Sequence, residues 1–135
     1  MSEKENVGIA KNLKRCIKAA TGKYIAILES DDYWTDRFKL RHCQEFLERH
    51  PCCNMVFTKL KILNEFIGNS IQYMPIQDTF PPELTEDNMF NRNSQHNCIF
   101  NLSTVFCDAE IMKKLPEEDF FTSIFSEIPL ALYFF

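Results

Sequence analysis

The sequence predicts an α/β domain, a sheet with helices packed against it, and three observations carry that prediction. Apolar residues at helical spacing alternate along the chain with short strand-like runs. The run Tyr24-Ile25-Ala26-Ile27-Leu28 is wholly apolar and has the length of a central strand covered on both faces. The acidic segment Glu29-Ser30-Asp31-Asp32 follows it directly, at the strand end where open α/β sheets bind their ligands. A chain of 135 residues suffices for one domain or part of one, and not for two separate cores.

The elements follow in order. Ile9, Leu13, Ile17 and Ala20 recur at helical spacing over residues 8–21, with Lys11, Lys14, Arg15 and Lys18 between them, and Gly22 is the expected helix stop. A strand covers residues 23–28. Thr35 is placed to cap a helix over residues 36–50, whose Leu40, Cys43 and Leu47 share a face with Phe46 beside them, and Pro51 ends it. Residues 55–63 read as one strand with a wet face, because Val56, Thr58, Leu60 and Ile62 alternate with Lys59 and Lys61. Residues 64–97 carry Pro75, Pro81, Pro82 and many asparagines and read mostly as loop, with room for short strands and a helical turn near 84–90. Residues 98–107 return to strand, and Asp108 is a plausible N-cap for a short helix bearing Ile111, Met112 and Leu115 before Pro116. Ser126, Glu127 and Pro129 are helix-opening residue types, so 128–135 reads as a buried helix start that stops partway.

Composition excludes several classes. Fifteen Lys and Arg against 19 Asp and Glu give a net charge of -4, so no global basic field exists to collect nucleic acid. Three glycines, Gly8, Gly22 and Gly68, form neither a G-x-G-x-x-G fingerprint nor a P-loop. Six cysteines are too sparse for a disulfide scaffold, and the charged residues 1–6 lack the apolar centre of a signal peptide, which points to a cytoplasmic, reduced chain. The cluster His50-Pro51-Cys52-Cys53 lacks zinc-ligand spacing and reads as idle thiols. Asn101-Leu102-Ser103 fits the N-glycosylation pattern but, with no route to secretion, reads as ordinary sequence. The thirteen phenylalanines are most simply core, with an exposed subset able to rest on a membrane surface or a partner.

The acidic segment has two readings. Carboxylates crowded at a strand end repel one another, and a divalent cation such as Mg²⁺ or Mn²⁺, which prefers oxygen ligands and shares them with phosphates, relieves that repulsion. A solvated acidic turn leading into the next helix is the plain alternative, and these residues by themselves leave both open.

The string Glu5-Asn6-Val7-Gly8-Ile9-Ala10-Lys11-Asn12, then Ala20-Thr21-Gly22-Lys23-Tyr24-Ile25, the strand, Glu29-Ser30-Asp31-Asp32-Tyr33-Trp34, and Lys39-Leu40 strongly resembles the family 2 glycosyltransferases. That family shows an Asn-x-Gly turn, a helix ending in Ala-x-Gly-x-Tyr-Ile, a strand and a D-x-D-type motif. The close similarity covers about residues 5–63. A looser one covers 101–135, through Leu102-Ser103-Thr104-Val105-Phe106 and Ser126-Glu127-Ile128-Pro129-Leu130.

The resemblance implies a partial GT-A (Rossmann-like) fold, a mixed sheet flanked by helices in which the family's first strands, ending in Asp-Asp-Gly-Ser, do not precede Glu5. Residues 1–63 would be the donor and metal side, 64–97 mostly loop, and 98–135 the acceptor side. It implies Mg²⁺ or Mn²⁺ held by Asp31 and Asp32, with Glu29, where the family usually has aspartate, as a further ligand or ribose contact. Asn6, Gly8 and Lys11 join Glu29, Asp31 and Asp32 around the donor, a nucleotide-diphosphate sugar and most simply a UDP-sugar. Trp34, with Tyr33, is placed to wall the sugar pocket for a glycan or lipid-linked acceptor, although such residues also simply pack beneath loops. Glu127 occupies the position of the inverting general base and is preferred to Glu118 and Asp119, its other reading being a carboxylate at a helix N-terminus. The implied setting is the cytoplasmic side, with peripheral membrane contact possible, and unpaired strand edges favour self-association. Two functions stay open: an inverting sugar transferase or a fragment of one, and an inactive remnant that serves as a binding module.

Overall fold

The tetrapeptide Val105-Phe106-Cys107-Asp108 alternates its side chains to opposite faces, as any strand does, and every apolar one of them is buried. That double burial makes it the organising strand. In the computed structural model, which describes residues 7–64, 66, 68, 70–74 and 101–115, the element order is α1 (Ile9–Ala19), β1 (Tyr24–Ala26), α2 (Lys39–Arg49), β2 (Met55–Phe57), β3 (Leu60–Asn64), β4 (Ser70–Met74), a 3-10 turn (Leu102–Thr104), β5 (Val105–Asp108) and α3 (Ala109–Lys113). The sheet order is β1-β5-β2, with β5 antiparallel to both neighbours, while β3 and β4 form a separate antiparallel pair.

Helices cover both faces of this sheet. On one, Val105 and Cys107 pack with Ile17 of α1, Ile25 of β1, and Ala109, Met112 and Leu115 in and beyond α3. On the other, Phe106 packs with Cys43 and Leu47 of α2, and Tyr24, Ala26, Phe46 and Val56 close around them. Burying one side chain of the size of Met112 contributes about 1.5–3 kcal/mol. The α/β class is therefore as expected, but the central position is not. The strand expected to be central, β1, pairs only with β5 among the described strands, and its run loses cover at its end, Leu28 being 48% exposed.

Other boundaries moved for local reasons. Helix α1 ends at Ala19, and the next residue, Ala20, has extended backbone and sends its N–H back to the Cys16 and Ile17 carbonyls, so Gly22 is not the stop. Burial along α1 grows toward its C-terminal half: Ile9 is 89% exposed, Leu13 is half-buried and Ile17 is buried. Helix α2 begins at Lys39 rather than residue 36. Thr35 does not cap it; instead the Asp36 carboxylate accepts the Phe38 N–H at 2.8 Å and shapes the turn before the helix. Its buried face is Lys39, Cys43 and Leu47, whereas Leu40 is 44% exposed. The single strand expected at 55–63 is two: the bond from Thr58 N–H to the Thr104 carbonyl carries the β2–β5 ladder one position further, and the chain then enters β3, which pairs with β4 in the other sheet. Residues 70–74, in the stretch expected to be mostly loop with room for short strands, form the short strand β4.

The N-cap expected at Asp108 is present: its carboxylate accepts from Glu110 N–H at 2.8 Å and Ile111 N–H at 3.2 Å, opening α3. The helical turn near 84–90, residues 98–100 of the expected strand and the acceptor-side helix at 128–135 lie outside the described residues.

Candidate functional site

Antiparallel register decides which loops meet. Because Ala26 pairs with Phe106, continuing the ladder three residues brings Glu29 opposite Ser103, and the Glu29 N–H donates to Ser103 Oγ at 2.9 Å. On the other side of β5 the same end receives residues 58–59 from β2. The acidic segment, the turn 101–104 and the start of β3 thus gather at one end of the sheet. Between them and α2 lies a cleft of about 740 Å³, within the usual range for small-ligand sites.

Within that cleft wall, residues 29–32 form a tight turn closed by Asp32 N–H on the Glu29 carbonyl at 3.2 Å. Asn101 Nδ2 donates to Asp32 Oδ2 at 2.7 Å, and Asn101 Oδ1 accepts the Ser103 N–H at 2.6 Å. The Ser103 carbonyl accepts two donors, Trp34 Nε1–H at 3.0 Å and Lys39 Nζ at 2.6 Å. Lys39 Nζ also stands 4.9 Å from the centre of the Trp34 ring. The whole acidic loop is in this way fastened to the 3-10 turn.

Lys39 is the unusual member, a lysine only 8% exposed. Burial pushes its ammonium pKa below the ordinary value, against the opposing pull of Cys43 and Asp32. Burial likewise raises the Cys43 thiol, which lines the same cleft. At the mouth, the Phe38 N–H holds the Asp36 carboxylate below its usual range, and His42 Nδ1 lies 3.1 Å from it in an exposed pair.

Asp31, Asp32 and Trp34 all line the cleft, with Tyr33 beside them. Trp34 offers its ring but not its N–H, which is committed to Ser103. Glu29 is anchored through its backbone and is not among the lining residues. Gly8 and the exposed Lys11 stand at the start of α1, away from the cleft lining; Gly8 adopts φ 82° and ψ 163°, a backbone open in practice only to glycine. Asn6 and Glu127 lie outside the described residues. Among the described residues no group of three His, Cys, Asp or Glu converges as a metal site. The asparagine of the glycosylation pattern has its amide turned to Asp32, and Leu102 and Ser103 are buried.

Sequence reasoning missed Lys39, Asn101 and Ser103 as parts of this site. Lys39 had a signal, since it stands one and two helical turns before Cys43 and Leu47 on the buried stripe. Asn101 and Ser103 had only the pattern of a residue capping its own turn, which says nothing about a partner 69 residues away.

The class the geometry defines is an α/β domain whose acidic turn, beyond a strand's carboxyl end, opens on a cleft of small-ligand size. The chain matches the family described as Glycosyl transferase family 2 over residues 1–114, and it belongs to that family. It is 33% identical over 88 residues to uncharacterized proteins of Mycobacterium tuberculosis (strain H37Rv) and Mycobacterium bovis. The matched stretch is 65% of this chain and 25% of each relative, so the chain spans about a quarter of the length of these curated relatives. No solved structure matches it. Among the described residues no helix is long and apolar enough to cross a membrane.

Proposed function

We propose that this chain is a metal-dependent, inverting glycosyltransferase, or a fragment of one, that moves a sugar from a nucleotide-diphosphate sugar to a glycan or lipid-linked acceptor. The observation that carries the reading is the placement of Asp31 and Asp32, in a family 2 chain, on the wall of a cleft at the carboxyl end of β1. Two carboxylates are too few for an all-protein cage, but hard oxygen donors of this kind suit Mg²⁺ or Mn²⁺ that takes its other ligands from donor phosphates. When bound, such a cation neutralises charge on the departing diphosphate.

The chain's own residues divide the remaining work. Asp31 and Asp32 hold the cation, and the tight turn 29–32 keeps them side by side. The Trp34 ring, fixed through its N–H, presents an apolar face suited to a sugar ring. Glu127 takes the proton from the acceptor hydroxyl during direct displacement.

Titration of the full chain with UDP and other nucleoside diphosphates, with and without Mn²⁺, tests the reading. Metal-dependent binding that disappears in Asp31→Ala is the expected result. Absence of binding by folded protein would refute the donor site and leave an inactive remnant acting at most as an interaction module.

A further inference from the structure

We propose that Asn101 is a positioning residue that presents Asp32 to a divalent cation, an inference that rests on the donor-site reading above. The geometry is over-determined. A backbone N–H only donates, so the 2.6 Å contact from Ser103 N–H fixes Oδ1 of Asn101 on that side and turns Nδ2 toward Asp32, which it reaches at 2.7 Å. The Asn101 backbone is held as well, its carbonyl accepting Thr104 N–H at 3.1 Å and Thr104 Oγ1–H at 2.7 Å. The amide is a fixed post at the entrance to β5.

That post engages one oxygen of Asp32 and leaves the other, Oδ1, without a hydrogen-bond partner among the described residues. A neutral amide orients a carboxylate without cancelling its charge, which an ammonium or guanidinium in the same place would do. The nearby cation is kept off: Lys39, close enough to feel the charge of Asp32, gives its hydrogen bond to the Ser103 carbonyl. Asp32 is thereby oriented and open at one oxygen, as a cation ligand needs to be.

The test is Mn²⁺ affinity of the full chain in the presence of UDP, read from the spin-resonance signal of free Mn²⁺, for wild type, Asn101→Ser, Asp32→Ala and the double variant. Serine still caps the turn through Ser103 N–H but is too short to reach Asp32. Loss of an orienting partner typically weakens metal affinity about 10–100-fold, and Asn101→Ser is expected in that range with its urea midpoint little changed. In the Asp32→Ala background the same substitution is expected to add nothing.

Wild-type affinity in Asn101→Ser, or a further loss on top of Asp32→Ala, overturns the inference while leaving the donor site standing. Failure of wild type to bind Mn²⁺ with UDP refutes the donor-site reading itself and this inference with it. Should Asn101→Ser not fold, the side-chain amide resonance of Asn101 in wild type replaces it. Addition of Mg²⁺ and UDP is expected to shift that resonance in wild type and not in Asp32→Ala, and an unmoved amide overturns the inference.

Discussion

Removing both donors from the Ser103 carbonyl will cost more than the sum of removing each alone. Trp34→Phe deletes one neutral hydrogen bond and keeps an aromatic face under Lys39, a net loss of about 0.5–1.5 kcal/mol. Lys39→Met deletes a charge-assisted hydrogen bond, worth about 1.5–3 kcal/mol, and a cation–π contact of about 0.5–2 kcal/mol. It also removes the several kcal/mol that burying an ammonium costs, so the single change should come out near about 1 kcal/mol. In each single variant the carbonyl keeps one donor. In the double variant it has neither, in a residue only 6% exposed, and an orphaned buried carbonyl adds about 1–3 kcal/mol beyond the sum. Urea unfolding followed by far-ultraviolet circular dichroism measures this, since the chain has a single tryptophan and the cycle removes it. A double variant additive to within about 0.5 kcal/mol would refute the account of Ser103 as a shared acceptor.

Alkaline unfolding should report Cys107. Burial raises its thiol from 9.0 to about 12, so the unfolded chain loses the proton first. The stability it contributes is whole below pH 9.0 and falls by about 1.4 kcal/mol per unit as pH rises through that window, a slope that Cys107→Ala should flatten in urea titrations from about pH 8 to about pH 11. Cys43, raised by burial, acts in the same direction, whereas Lys39, lowered by burial, acts in the opposite one. Gly8→Ala should cost about 1–3 kcal/mol by urea unfolding although nothing lies within 4 Å of the added methyl, because the strain is in the backbone. Met112→Ala, at 1% exposure, should cost about 2–5 kcal/mol, and Leu40→Ala, on the exposed face of α2, within about 0.5 kcal/mol.

What could be read from the residues alone was whatever is local. Helical periodicity located α1 and α2, Asp108 announced α3, and the acidic turn followed the apolar run that became β1. The misread features depend on partners distant in sequence. An unbroken apolar run looks central, but β1 pairs with β5, whose burial on both faces shows only once α1, α2 and α3 are packed around it. Leu40 was preferred to Lys39 because hydrophobicity outranks position, yet an ammonium with a carbonyl and an indole waiting for it can occupy the inner face. Within the cleft, Asp31 and Asp32 were legible as a motif, while the residues that fix them, Asn101 and Ser103, carried no chemical signature of their own.

The contacts that shape the acidic loop join residues 64 to 74 positions apart. Contacts this far apart in sequence carry a larger loop-closure cost than the local bonds of an 11-residue helix or of the β3–β4 pair. During synthesis the acidic motif emerges long before its support does. A nascent or proteolytically clipped chain that lacks residues 101–115 would carry the whole acidic motif without the turn that fastens it. Ligand capture at this end of the sheet is therefore a late event, available only after the two distant segments have met.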